Sequence, residues 1–190
     1  MKTSLGAKTL HFPTPACVVG TYDEHGKPNV MTAAWSGICC SRPPCVYVSL
    51  RKATYSYAAI AARKAYTISI PSEDHIVAVD YFGIATGAKE DKLARTGLTA
   101  VRSDLVDAPY VAEFPVVLEC KMVHAEELGL HTLFVGEIVD VKGDASVMDE
   151  GKLDIEKIRP VIYDPARNRY YKVGEHLAKA FIAGKHLVQG

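Results

Sequence analysis

Apolar and polar positions change rhythm along the chain, and each change marks an element. Residues 16–22 (ACVVGTY) and 29–35 (NVMTAAW) are apolar-rich extended runs on either side of DEHGKP, where Gly26 and Pro28 mark a turn; together they predict a hairpin. Residues 45–51 (CVYVSLR) are dense in β-formers, and Pro43-Pro44 ahead of them exclude a helix there. Residues 54–63 (TYSYAAIAAR) predict a helix that Thr54 or a near neighbour can cap, and residues 66–70 (YTISI) predict a return to strand.

Pro71-Ser72-Glu73-Asp74 is a helix start, because Ser72 can cap and the two acids favour the positive end of the helix dipole. That helix is predicted to reach about Tyr81 and to stop before Gly83. A shorter helix is predicted over residues 89–95, with Gly97 as its C-cap. Residues 116–128 (VVLECKMVHAEEL) alternate around Glu119 and Lys121, and 130–142 (LHTLFVGEIVDVK) follow across Gly129, predicting a long hairpin with one wet face. Residues 160–163 and 169–173 predict a last strand pair around DPARN, and residues 175–183 a terminal helix. Strands dominate, short helices fill the gaps and no period of twenty to fifty residues repeats. The expected fold class is mainly β with short α-helices, a barrel-like domain spanning residues 1–190.

Composition narrows what such a barrel does. The chain has 190 residues, 48% of them hydrophobic, which is enough for one substantial core. Its 22 basic and 22 acidic residues cancel, which argues against nucleic acid or an anionic membrane surface as a partner while leaving room for a small local basic pocket. No apolar run is long enough to span a membrane, and the N-terminus lacks the apolar core of a signal peptide. Cys17, Cys39, Cys40, Cys45 and Cys120 are odd in number and form no C-x-x-C pair, so reduced thiols in a cytoplasmic protein are expected.

Among candidate chemistries, the absences come first. There is no G-x-G-x-x-G, no P-loop and no H-E-x-x-H. His124 and His131 flank the expected hairpin turn without a third ligand, which predicts surface or structural roles and no metal site. Adjacent Cys39 and Cys40 bond to each other only with strain, so buried packing is expected of them.

Two segments ask for more. Thr32, Ala33 and Ala34 run into the single tryptophan, Trp35. A strand that gives up side-chain volume in this way either packs closely against a neighbouring helix or lets a flat ligand reach its main chain. Ser49-Leu50-Arg51 ends a strand and leads at once to Lys52, Thr54 and Ser56 at a helix start, gathering a guanidinium, hydroxyls and free N–H groups within one turn. That is either an anion cradle or a capped helix beside two solvated bases. Lys89 and Lys92 lie one helical step apart and can add positive charge from one face.

The order PNVMTAAWSGICCSRPP, VYVSLRKATYSY, ISIPSEDHIVAVDYFG, KEDKLARTGL, PVVLEC and HTLFVGEIVDV resembles the flavin reductase-like family of FMN-binding split barrels, most of all its flavoredoxins, from about Thr14 to Phe181. The resemblance implies an FMN-binding split β-barrel that forms a homodimer, with the flavin near the subunit interface. It assigns the ring-binding segment to Thr32, Ala33, Ala34 and Trp35, and the phosphate and ribityl segment to Ser49, Leu50, Arg51, Thr54 and Ser56. Gly83, Lys89 and Lys92 contribute from a later helix. It implies no catalytic acid, base or nucleophile, since the isoalloxazine carries the electron chemistry. Two activities follow as expectations: an electron carrier that serves a redox protein partner, or a reductase that takes electrons from a reduced nicotinamide donor, NADH or NADPH. A non-catalytic structural barrel is a distant third.

Overall fold

A computed structural model describes residues 1–188, so the last two residues of the expected domain lie outside it. Seven strands form its main sheet: β1 (Cys17–Tyr22), β2 (Pro28–Ala33), β3 (Ser36–Ser41), β4 (Pro44–Arg51), β5 (Ala65–Ile70), β6 (Val116–Leu128) and β7 (His131–Gly143). Their order is β2-β1-β5-β6-β7-β4-β3, and every neighbouring pair is antiparallel. β2 and β3 are the two outer strands, yet only Ala34 and Trp35 separate them in the chain. Two residues reach at most about 7 Å. The sheet must therefore curl until its edges meet, giving a barrel whose hydrogen-bond ladder stays open at that seam.

Alternation along the curled strands divides the apolar residues between two cores. Val19, Val46, Val48, Leu50, Ile60, Tyr66, Ile68 and Phe134 pack together in one; Val18, Val30, Val79, Phe82 and Leu93 pack in the other, between the sheet and two helices, α2 (Ile76–Ile84) and α3 (Lys92–Thr96). β1 contributes to both cores, which is why its run is continuously apolar rather than alternating. Tyr66 is wholly buried and its hydroxyl donates to the Val46 carbonyl at 3.1 Å. A Cβ on Gly136 would lie 2.5 Å from that hydroxyl, so the β7 backbone passes over Tyr66 only as glycine.

The first helix, α1 (Tyr55–Arg63), follows β4 at once, as predicted. Ser72 caps the next helical segment, its hydroxyl accepting from the Asp74 N–H at 3.2 Å. Several boundaries differ from expectation for local reasons. α2 runs through Gly83 to Ile84, because the chain has no need of a left-handed residue there and Ala85 ends the helix in an extended conformation. α3 begins at Lys92, since the Asp91 carboxylate caps it by accepting from the Ala94 N–H, and Gly97 closes it at φ +69°. β3 was not anticipated: SGICCS lacks β-branched density, and it is the register with β4 that extends it. Cys39 and Cys40 on this strand are exposed rather than buried, because β3 is an edge.

The long hairpin is present, and its second strand has the expected single wet face, with Thr132, Phe134 and Gly136 buried between more exposed neighbours, whereas its first strand, β6, does not alternate. Its inner half, Val116 to Cys120, is buried on both faces, including Glu119 at 0% exposure, while residues 123–128 are exposed on both. The terminal helix is absent. Residues 173–179 have no regular structure and only a 3₁₀ turn, Lys185–Leu187, follows. Leu177 and Phe181 stand 98% and 97% exposed, so the segment has no surface within this chain against which an amphipathic helix would pack. Val161–Asp164 and Arg169–Lys172 pair as expected, joined by Thr14–Pro15 as a third strand. No helix among the described residues is long and apolar enough to cross a membrane.

Candidate functional site

The residues singled out in sequence converge on the seam where the barrel edges meet. The Ser49 N–H donates to the Trp35 carbonyl at 2.8 Å, which ties the end of β4 directly to the small-residue segment. At the other end of β2, Asn29 Nδ2 donates to the Ser56 hydroxyl at 2.9 Å, tying β2 to the first turn of α1. The loop after α2 is drawn onto the same place. A Cβ on Gly87 would fall 2.2 Å from Asn29 Oδ1 and 2.6 Å from the Tyr55 ring, so only glycine lets that loop lie against α1.

Within this convergence the side chains take different parts. Ala33 is 6% exposed and packs in the barrel core, whereas Ala34, its neighbour on the opposite face, is half-buried and open to grooves on two sides. One groove, about 320 Å³, is lined by Thr32, Ala34, Asp80, Gly83, Tyr163 and Tyr170. The other, about 580 Å³, runs under the N-terminal arm along Ala34, Trp35, Gly37 and Tyr47. The Thr32 hydroxyl donates to the Val79 carbonyl of α2, so its polar atom serves helix packing. A Cβ on Gly83 would meet only the Thr32 Cβ, at 3.6 Å. Leu50 is buried in the core and Ser49 half-buried at its edge.

Thr54 occupies the N-cap position of α1 without capping it. Its hydroxyl donates backwards to the Arg51 carbonyl at 2.9 Å and no side chain takes the first free N–H groups of the helix. Ser56 is 1% exposed and its hydroxyl is occupied by Asn29, with Thr21 at 3.5 Å. Arg51 and Lys89 are exposed, and neither joins an ion pair among the described residues. Lys92 is only 4% exposed. Its ammonium donates to the Phe82 carbonyl in the last turn of α2 at 3.0 Å, meets no carboxylate, and burial pushes its pKa down to about 8.

Sequence reading missed several groups here. Asn29 reads as an ordinary strand residue, and only the buried Thr21–Asn29–Ser56 triad reveals its part. Asp80, Tyr163 and Tyr170 come from three distant elements: the Tyr170 hydroxyl donates to Asp80 at 3.0 Å, which together with burial pushes Tyr170 up to about 12, and the two tyrosine rings lie 5.6 Å apart. No sequence pattern links residues 80, 163 and 170. Among the described residues no group of three His, Cys, Asp or Glu side chains is placed to hold a metal ion.

Residues 9–172 match the model of the flavin reductase like domain. The chain belongs to that family. Its fold is the split barrel of the family's solved members. The flavoredoxin of Desulfovibrio vulgaris (Miyazaki F) is 56% identical and superposes with a TM-score of 0.93, covering 97% of this chain and 100% of that one. The flavoredoxin of Methanosarcina acetivorans is 27% identical, with a TM-score of 0.89 and 98% of each chain covered. The reductase component of a 4-nitrophenol 4-monooxygenase/4-nitrocatechol 2-monooxygenase from Rhodococcus opacus is 30% identical over 132 residues, 70% of this chain and 67% of that protein. Within the family, the seam carries this chain's uncapped helix start, its free cations and its small side chains.

Proposed function

We propose that this member of the flavin reductase-like family binds one FMN per chain and works as an electron-transfer protein of the flavoredoxin kind. The observation that carries the reading is the uncapped start of α1 beside exposed, unpaired Arg51, tied through the Ser49–Trp35 hydrogen bond to the segment whose Ala34 opens to two grooves, with exposed, unpaired Lys89 on the loop that Gly87 sets against Tyr55. Free helix N–H groups and a guanidinium suit a phosphate dianion, and a small side chain at position 34 lets a flat ring approach the main chain of Thr32 to Trp35. Bound there, FMN supplies the redox chemistry, while the protein sets its potential and access.

The chain's own residues divide that work. Arg51, Lys89 and the first N–H groups of α1 take the phosphate. Ser56 and Asn29, already bonded to each other, hold the first turn of α1 on β2. Lys92 places an unneutralised positive charge beneath the loop that carries Gly87 and Lys89. Phenolic and indole rings from Tyr163, Tyr170 and Trp35 wall the two grooves, excluding water from a ring between them.

The identity to a flavoredoxin over almost the whole chain supports the carrier. The relative that serves as a monooxygenase reductase component supports a second reading, an NAD(P)H-dependent flavin reductase. Anaerobic mixing of the FMN-loaded protein with NADH and NADPH, followed at the flavin absorption band, separates them. A carrier bleaches only with dithionite or a reduced protein donor; rapid bleaching by either nicotinamide makes it a reductase. A homodimer is part of the reading, because Leu177, Phe181, Leu128 and Leu130 are exposed apolar groups that a second copy would cover. Five free thiols accord with a cytoplasmic setting.

A further inference from the structure

The edge hairpin β3–β4 carries three thiols outside the seam's ligand groups. Arg42 and Pro43 join its strands, and the register sets Cys40 opposite Cys45, one step inward from the closing pair of Ser41 and Pro44. Opposed residues of antiparallel strands project to the same face with Cα atoms about 4.5–5.5 Å apart. That spacing falls inside the range of about 4.4–6.8 Å over which a disulfide closes. Cys40 is exposed and Cys45 is 5% exposed, so the register pairs an accessible thiol with a sheltered one. Cys39 lies in the irregularity between Ile38 and Cys40 and has no residue registered opposite it. The far flank of β3 pairs with no strand, so a small reagent reaches Cys40 without opening the ladder.

We propose that Cys40 and Cys45 form a thiol–disulfide exchange site whose substrate is a low-molecular-weight disulfide, RSSR. Cys40 loses its proton to solvent and attacks one sulfur of RSSR; the S–S bond breaks, RS⁻ leaves and is protonated to RSH, and Cys40 carries a mixed disulfide. Cys45, deprotonated in turn, attacks the Cys40 sulfur and expels the second RS⁻. Two protein thiols are oxidised by two electrons, and one RSSR is reduced to two RSH. Burial pushes the Cys45 thiol up, which suits it to act second, when the mixed disulfide is held opposite it. The cross-link pins the hairpin whose Gly37 and Tyr47 wall the groove along Trp35.

The test treats the full-length, flavin-loaded protein with oxidised glutathione, then counts free thiols by alkylation under denaturing conditions and maps them by mass spectrometry. Wild type is expected to lose two of its five thiols within one chain and to retain no glutathione. Cys45→Ser should retain one glutathione, on Cys40; Cys40→Ser, altered at an exposed position, should keep all its remaining thiols. Five intact thiols in wild type, a bond to Cys39, a chain-to-chain disulfide, or a Cys45→Ser protein free of glutathione would each overturn the assignment.

Discussion

The wall of the barrel and its seam handle volume and charge in opposite ways. In the wall, β5 and the first half of β6 bury their side chains on both faces, and the one carboxylate enclosed there, Glu119, is paired with Lys142, which also reaches Asp140 at 2.7 Å. At the seam, Ala34 leaves volume empty, the start of α1 leaves N–H groups without partners, and Lys92 holds a buried ammonium against a neutral carbonyl. A buried charge without a counter-charge is costly. The uncompensated ammonium, the missing cap and the missing volume fall in one region, which is what the flat, anionic ligand proposed above would complete; in the wall the enclosed charge has its counter-ion, although Glu119 Oε1 accepts no hydrogen bond.

Breaking the wall should give the largest effect. Lys142→Met leaves the Glu119 carboxylate buried without its partner, at a cost of about 3–5 kcal/mol. A urea melt should show the lower midpoint, and FMN affinity of the folded fraction should not change, because Lys142 is remote in register from the seam. A loss of FMN binding with unaltered stability would reverse the roles given to the two regions.

The two lysines also predict opposite pH dependence. Lys92 sits near pKa 8 when folded against an ordinary 10.5, so the unfolded chain binds more protons across that window. Stability therefore rises as pH increases from about 8 to 10.5, by up to about 3 kcal/mol from this group. Lys142 is shifted upward by Asp140 and Glu119, so its contribution is complete below 10.5 and is lost as pH climbs beyond. Lys92→Met should remove the rise and leave the fall. With FMN bound, a nearby anion should lift Lys92 and shrink the rise in wild type. Chemical denaturation across alkaline pH, with and without FMN, checks both signs.

Ala33 and Ala34 sharpen the contrast at single-residue scale. Ala33→Leu overfills the packed core and should cost about 1–3 kcal/mol. Ala34→Leu enlarges a side chain that faces the grooves, so it should fold normally and lose the yellow colour. Circular dichroism reads the first and flavin absorbance the second; full occupancy in Ala34→Leu would remove the ring from this segment.

The same contrast explains what was legible in the sequence. The wall is legible because runs dense in β-branched and aromatic residues read as strands even where both faces are buried. The small residues of the seam were readable as a gap in that pattern, and Arg51 and Thr54 as a strand-to-helix junction. What escaped depends on how distant segments meet. The burial of Glu119 comes from strands on both sides; the exposure of Cys39 and Cys40 comes from their strand being an edge. The missing helix after residue 173 is apolar enough on paper but has nothing within this chain to pack on. Lys92 is legible as a cation one helical step from Lys89, but nothing local shows that it is buried with its ammonium on the Phe82 carbonyl.

Arg51 gives the smallest effect in free energy and the most specific one. Its guanidinium is exposed and unpaired, so Arg51→Ala removes no interaction on which the fold depends and should leave the urea midpoint unchanged. If the phosphate lies at the start of α1, the variant loses charge-assisted contacts worth roughly 1.5–3 kcal/mol, and FMN affinity should fall more than tenfold. Riboflavin has no phosphate to lose, so the wild type should bind it weakly and the substitution should leave that weak affinity unchanged. Fluorescence titration of both ligands against both proteins closes the cycle: a tenfold loss for FMN alone locates the phosphate beside Arg51, whereas an equal loss for both would move Arg51 to the ring.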